Sequence, residues 1–314
     1  IKVDYKPSEK QRMLHKSKES EIIYGGAKGG GKSRALVMDA LLYGLKYPNA
    51  RIFLFRETFA VFEKTLIAEW KKSVPDSLYK YHAGNYTALL PNGSTIYFSY
   101  LRNKSDAEKY QGVEMDYVGI DEMTKHLEET IQEIMSCMRS PKGYPTRFIG
   151  TCNPGGIGHS FVKSTYILPS NYGEKILDNP KSGQKIRFIP AQVYDNPALM
   201  KNDPTYVRRL ENLPEAQRKA FLYGDWDSFA GQAFSEWKTD IHVVKPFDIP
   251  STWERFRGAD YGYSNPYCCL WAARDHDGNL YVYNEDYATK LTADEQAERM
   301  IRKSQGYEFR RSVL

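Results

Sequence analysis

Cysteine is scarce in this chain. It has four, Cys137, Cys152, Cys268 and Cys269, and no C-x-x-C spacing. That argues against a zinc site. Cys268 and Cys269 lie in an apolar, strand-like run and read as buried free thiols, as a reducing cytosol allows. Long apolar runs are also missing, so nothing reads as a membrane span, and no signal peptide is visible. Neither sign of charge dominates: 44 basic and 39 acidic side chains leave +5, which permits nucleic-acid contact without demanding it. There is no internal repeat and no low-complexity segment. What is abundant is tyrosine, at 24, and that alone decides nothing. With 41% hydrophobic and 26% charged residues, the composition is that of an ordinary soluble globular protein. Its 314 residues suffice for about two domains at roughly 150 residues each. The chain starts at Ile1 without methionine and stops at Arg310-Arg311-Ser312-Val313-Leu314, so further residues are expected in the full protein.

The most informative segment is Gly26-Ala27-Lys28-Gly29-Gly30-Gly31-Lys32-Ser33. It matches G-x-x-x-x-G-K-[ST], follows the apolar Ile22-Ile23-Tyr24 and precedes the helical pattern Ala35-Leu36-Val37-Met38. Strand, glycine loop and helix start make an anion cradle of backbone N–H groups. Gly26, Gly29 and Gly31 shape it. Lys32 would reach the outer phosphates of ATP, and Ser33 would ligate Mg²⁺.

Strand and helix patterns alternate from about residue 20 to 151: strands at Glu21–Tyr24, Arg51–Phe55, Thr95–Tyr100, Asp116–Asp121 and Arg147–Thr151, and a helix at Leu127–Arg139. This predicts an α/β fold, a mostly parallel P-loop sheet with ligands at the carboxyl ends of its strands. Pro91-Asn92-Gly93 reads as a hairpin turn. The helix carries Leu127, Ile131, Ile134, Met135 and Met138 on one face, read as core packing.

Val118-Gly119-Ile120-Asp121-Glu122 is an apolar strand ending in two carboxylates. Asp121 would hold the metal through water, and Glu122 would act as general base. At the next strand end, Gly150-Thr151-Cys152-Asn153-Pro154-Gly155-Gly156 is a turn in which Thr151 and Asn153 could contact the γ-phosphate.

Together these motifs resemble the large terminase subunit of tailed bacteriophages, over nearly the whole chain. Pro7-Ser8-Glu9-Lys10-Gln11-Arg12 resembles the family's entry segment, in which a glutamine (here Gln11) reads adenine. Arg56-Glu57-Thr58, Lys109-Tyr110-Gln111-Gly112, the Gly150–Gly156 coupling motif and Gly224-Asp225-Trp226 with Gly231 and Phe234 fit the same pattern. The resemblance implies an ATP-driven motor, by likeness a pentameric ring docked on the portal protein of a procapsid, working with a small terminase subunit on double-stranded DNA. It places the protein in the host-cell cytoplasm and not in the mature virion. It also implies an arginine reaching a neighbour's nucleotide, Arg139 first and Arg147 second. Arg102 and Lys104, after the predicted hairpin, are DNA-contact candidates, and read equally as a solvated basic loop.

Gly258-Ala259-Asp260-Tyr261-Gly262 resembles the first strand of the terminase's RNase H-like nuclease, which holds Mg²⁺ or Mn²⁺. Asp260 is its first acid, and Glu285 or Asp286 a further one. Strands at Arg257–Asp260, Cys268–Arg274 and Leu280–Tyr287, a hairpin at Asp277-Gly278 and a helix at Ala293–Gln305 follow. No evident match to the remaining acids follows, so this domain is expected to be incomplete. The expected division is residues 1–170 ATPase, 171–227 lid, 228–250 linker and 251–314 nuclease. Two other readings compete: a helicase or repair ATPase, and a slow nucleotide-gated assembly factor.

Overall fold

The computed structural model describes residues 3–58, 63–179, 182–227, 237, 239–263 and 266–313. Gly231 and Phe234 lie outside them. The chain forms two compact units, Ile1–Thr239 and Asp240–Leu314.

The first unit is built on nine strands: β1 Glu21–Gly26, β2 Arg51–Arg56, β3 Lys80–His82, β4 Thr87–Leu89, β5 Thr95–Tyr100, β6 Tyr117–Ile120, β7 Arg147–Cys152, β8 Leu177–Asp178 and β9 Lys185–Ala191. Their order is β3-β4-β5-β2-β6-β7-β1-β9-β8. The run from β5 to β9 is parallel throughout. The β3–β4–β5 meander and β8 close the edges antiparallel. The Pro91–Gly93 turn joins β4 to β5, with Gly93 at φ +85°.

Side chains alternate across a strand, and here both faces are apolar. Ile22, Tyr24, Ile52, Leu54, Ile149 and Ile189 pack on one face, with helix α2 Lys32–Lys46 and Trp70. Ile23, Phe53, Phe55, Val118, Phe148 and Phe188 pack on the other, with Ile131 and Ile134 of the helix Glu128–Ser136. A sheet covered on both faces needs continuous apolar strands, which is why β1 is buried at every position.

Two expectations are corrected. The helix Leu127–Arg139 is shorter, Glu128–Ser136; Leu127 is its extended N-cap residue and stays 47% exposed, so it leaves the core face. The boundary at residue 170 also falls too early. β9 pairs with β1 along its whole length, and the separate small cluster begins only at Val193, with Leu210 and Leu222.

The second unit has four strands, β10 Glu254–Asp260, β11 Tyr267–Arg274, β12 Leu280–Ala288 and β13 Arg311–Val313, in the order β12-β11-β10-β13. The first three form an antiparallel meander, and β13 returns parallel to β10. Tyr267, Cys269 and Trp271 form its core. The helix Ala293–Ser304 starts at a capping box, Thr292 with Glu295. Trp271 Nε1 donates to Ser304 on that helix at 2.9 Å.

Candidate nucleotide site

Parallel register brings the ends of β1, β2, β6 and β7 to one edge. Tyr24 lies level with Thr151, and Phe55 with Ile120. The segments beyond those ends therefore meet. They line a cleft of about 1060 Å³ that contains Gln11, Gly29, Gly31, Lys32, Ser33, Asp121, Glu122, Thr151 and Asn153.

The loop conformation needs its glycines. Gly26 has φ +133°, and a Cβ there would lie 2.3 Å from Ala191 O. Gly29 and Gly31 sit at φ +78° and +74°, left-handed backbone that favours glycine. Three consecutive loop carbonyls are each held by a different element. Asn196 Nδ2 donates to Gly29 O at 2.8 Å, Tyr24 Oη to Gly30 O at 3.1 Å, and Gln11 Nε2 to Gly31 O at 2.9 Å. A trans peptide points its N–H opposite its C=O. The amides of Gly30, Gly31 and Lys32 thus face away from those donors, as an anion cradle requires.

Gln11 belongs to helix α1, Glu9–Lys16, and its Oε1 accepts from Ser8 N at 2.9 Å in a capping box. One N–H and one lone pair of its amide are left over by these bonds, the pair that an adenine edge would use.

Lys32 is buried. Its Nζ donates to Ala27 O and, at 2.8 Å, to Asn153 Oδ1. Burial pushes this ammonium down to about 8. A triphosphate beside it would restore the charge. Binding at pH 8.5 is therefore expected to take up roughly half a proton or more, and almost none at pH 6.5. Calorimetry in buffers of different ionisation enthalpy measures this; equal uptake at both pH values would refute it.

Asp121 is a hub. Ser33 Oγ donates to its two oxygens at 3.1 and 3.2 Å, Arg56 Nη1 to Oδ2 at 2.8 Å, and Thr151 Oγ1 to Oδ1. Thr151 is 1% exposed and committed to that carboxylate, whereas Asn153 faces Lys32. A hydroxyl beside a carboxylate is an all-oxygen donor set suited to Mg²⁺. Ser33 and Asp121 would hold that ion, which neutralises phosphate charge when bound.

Glu122 occupies left-handed backbone, φ +56°, a strain that non-glycine residues tolerate mainly at functional sites. Its Oε1 lies 2.7 Å from Arg56 Nη2, and its Oε2 3.0 Å from Lys125 Nζ. Burial alone would raise this carboxyl, but Arg56 and Lys125 outweigh it and hold it below its ordinary value. Arg56 had no assigned role in the sequence reading. Its signal was its position, the last residue of β2, level with the acids that end β6.

The other candidates lie elsewhere. Arg147 starts β7, at the opposite edge. Its guanidinium is spent on Asp39, Ser17 O and Leu14 O. It pins the end of α1, away from its own cleft. Arg139 is half exposed, donates to Gly112 O at 2.8 Å and lies near the amino end of β6, away from its own cleft. Arg102 pairs with Asp106 at 3.4 Å, and Lys104 begins the helix Lys104–Glu108; neither lines the cleft.

In the second unit, Asp260 ends β10, level with Cys268 and, across it, Tyr287. Glu285 is level with Leu270 and Gly258, so it shares the face of Asp260. Asp286 is on the opposite face, buried against Arg299 (2.8 and 2.6 Å) and Lys303 (3.0 Å). The Arg299 hydrogen bonds, with Lys303, outweigh burial and hold it at about 2. Two acids do not make a two-metal site. Among the described residues no group of three or more His, Cys, Asp or Glu is placed to hold a metal ion. The nuclease metals expected from Asp260 and Glu285 thus have no assembled site here.

A glycine loop on a helix start, facing two acids across a parallel sheet, defines a P-loop nucleotide-binding protein. The family profile "Terminase large subunit, T4likevirus-type, N-terminal" matches residues 23–239. The chain belongs to this family, the large terminase subunits of phage DNA packaging. None of the curated proteins compared with it matches. Among solved structures it is similar to the large terminase of a thermophilic bacteriophage, at 19% identity and TM-score 0.57, covering 99% of this chain and 78% of that one. The ADP complex of the same protein matches at 19% identity and TM-score 0.57, covering 98% and 77%. The bacteriophage Phi-29 viral genome packaging motor assembly matches at 14% identity and TM-score 0.50, covering 100% and 88%. At these identities the likeness is one of fold.

Proposed function

We propose that the chain is the ATPase of a viral DNA-packaging motor, hydrolysing ATP with Mg²⁺ to move double-stranded DNA into a procapsid. The observation that carries this reading is the meeting of Lys32, Ser33, Asp121, Glu122 and Asn153 in one cleft of a terminase-family chain. The structures of the thermophilic phage's terminase with ADP and ATP-gamma-S support nucleotide as the ligand.

In this reading the loop amides and Lys32 bind the phosphates. Ser33 and Asp121 hold the metal. Glu122, kept ionised by Arg56 and Lys125, orients the attacking water and accepts its proton. Each of its oxygens keeps a lone pair beyond its one cation, which leaves room for that water. Arg139 is the candidate for a neighbouring subunit's site in a homo-oligomeric ring on the portal, with Arg102 and Lys104 toward DNA. The small terminase subunit and a host-cytoplasmic location belong to the same proposal. So does an RNase H-like endonuclease beginning at Asp260, for which the full set of acids is required.

The test is an ATPase assay with and without DNA and portal-bearing procapsids. Magnesium-dependent turnover stimulated several-fold by these partners is expected, with no strand separation of a duplex. Unwinding would favour the helicase reading, and turnover indifferent to all partners would refute the motor.

A further inference from the structure

His159 opens the short helix that follows the Gly150–Gly156 segment and is 2% exposed. Gly155 N lies 2.9 Å from its Nδ1, and Trp226 O 3.1 Å from its Nε2. A backbone amide can only donate, so Nδ1 is the bare nitrogen. Nε2 then carries the proton and donates to Trp226 O. Burial, the largest influence, pushes the ring down to about 4, which keeps it neutral. The two rings stack at 5.3 Å and 29°.

Each end of this bridge continues to the cleft. On one side, Trp226 lies beneath β1, where a Cβ added to Gly25 would meet its ring at 3.3 Å. The segment before it grips the glycine loop: Lys28 N donates to Phe221 O at 2.8 Å, and Gly224, at φ +72°, packs on Gly26 and Ala27. On the other side, Gly158 N donates to Thr124 O at 2.8 Å, and Thr124 Oγ1 to Asn153 O at 2.9 Å. Asn153 Oδ1 in turn accepts from Lys32. The contacts form a closed circuit from loop to Trp226, His159, Gly155, Asn153 and back to Lys32.

We propose that His159 is a positioning residue for the phosphate end of the site, locking the Asn153–Gly156 turn so that Asn153 stays on Lys32. The inference rests on the nucleotide-site reading above. Two near-isosteres separate its bonds. His159→Asn keeps an acceptor near Nδ1 for Gly155 and loses Trp226. His159→Gln keeps a donor near Nε2 for Trp226 and leaves the Gly155 amide without its acceptor. Steady-state ATPase of the full chain is the readout, with the melting temperature of each variant. The expected result is kcat within about threefold of wild type for His159→Asn and about tenfold lower for His159→Gln, with KM for ATP moved less than about threefold in both. The double variant His159→Gln/Asn153→Ala should be no slower than Asn153→Ala alone, because the two act in series. Equal kcat losses in Asn and Gln, losses that follow melting temperature, or additive effects in the double variant would overturn the proposal. Wild-type protein that binds no ATP would instead overturn the nucleotide-site reading, and that titration is done first.

Discussion

Glu122→Gln is expected to bind ATP as wild type does and to hydrolyse it about 10²–10⁴-fold more slowly, the span that a positioned general base supplies. The amide keeps the shape and one oxygen for Arg56 Nη2, 2.7 Å away in the native protein, but it cannot accept the proton of the attacking water. Binding should persist because Lys32, the loop amides and Ser33 are untouched. Equilibrium titration with ATP and a single-turnover assay separate the two quantities. Turnover retained within threefold would remove Glu122 from the mechanism, and lost binding would assign it a ground-state role instead.

Arg56→Met is expected to lower stability markedly. One guanidinium spans both acids, with Nη1 on Asp121 and Nη2 on Glu122, and its side chain is only 11% exposed. Methionine fills much of the volume and leaves one buried carboxylate short of its cation, the other with Lys125 alone. Breaking such a pair costs about 3 kcal/mol, roughly 6–12 °C in melting temperature for a unit of this size. The acid sensitivity should weaken. Glu122's carboxyl is held low in the native fold. Its contribution is thus complete above the unfolded value of about 4.3 and fades as pH falls through the lower folded value. Without Arg56, only Lys125 opposes the burial of that charge, so acid should destabilise the variant less steeply than wild type. A melt within 2 °C of wild type, or an unchanged acid profile, would show that this cation does not support the acids.

The site was legible where chemistry is written in adjacent residues. Gly26–Ser33 and Asp121-Glu122 each carry their own pattern, and the parallel sheet followed from alternating elements. What was illegible depended on which strands become neighbours. Arg56 gains its meaning only because β2 lies beside β6. Arg147 is held against Asp39 because β7 starts at the far edge of the sheet. β9 was hidden among the prolines of residues 152–225, and only its pairing with β1 shows that it belongs to the sheet. The helix start at Ser8, capped by Gln11, and the hold of that glutamine on Gly31 came only with the structure. Asp286 was drawn to the metals by sequence and to Arg299 by the alternation of β12.

The three carbonyl donors on the glycine loop, Tyr24, Asn196 and Gln11, come from a strand, from the small cluster after β9 and from the first helix. The eight-residue motif is therefore not a portable part. Grafted into a foreign α/β scaffold with its strand and helix, it would bring Tyr24 but leave Asn196 and Gln11 behind, keeping its consensus and losing two of the three holds on its amides. Motif swaps between distant members of this family should travel as three pieces or not at all.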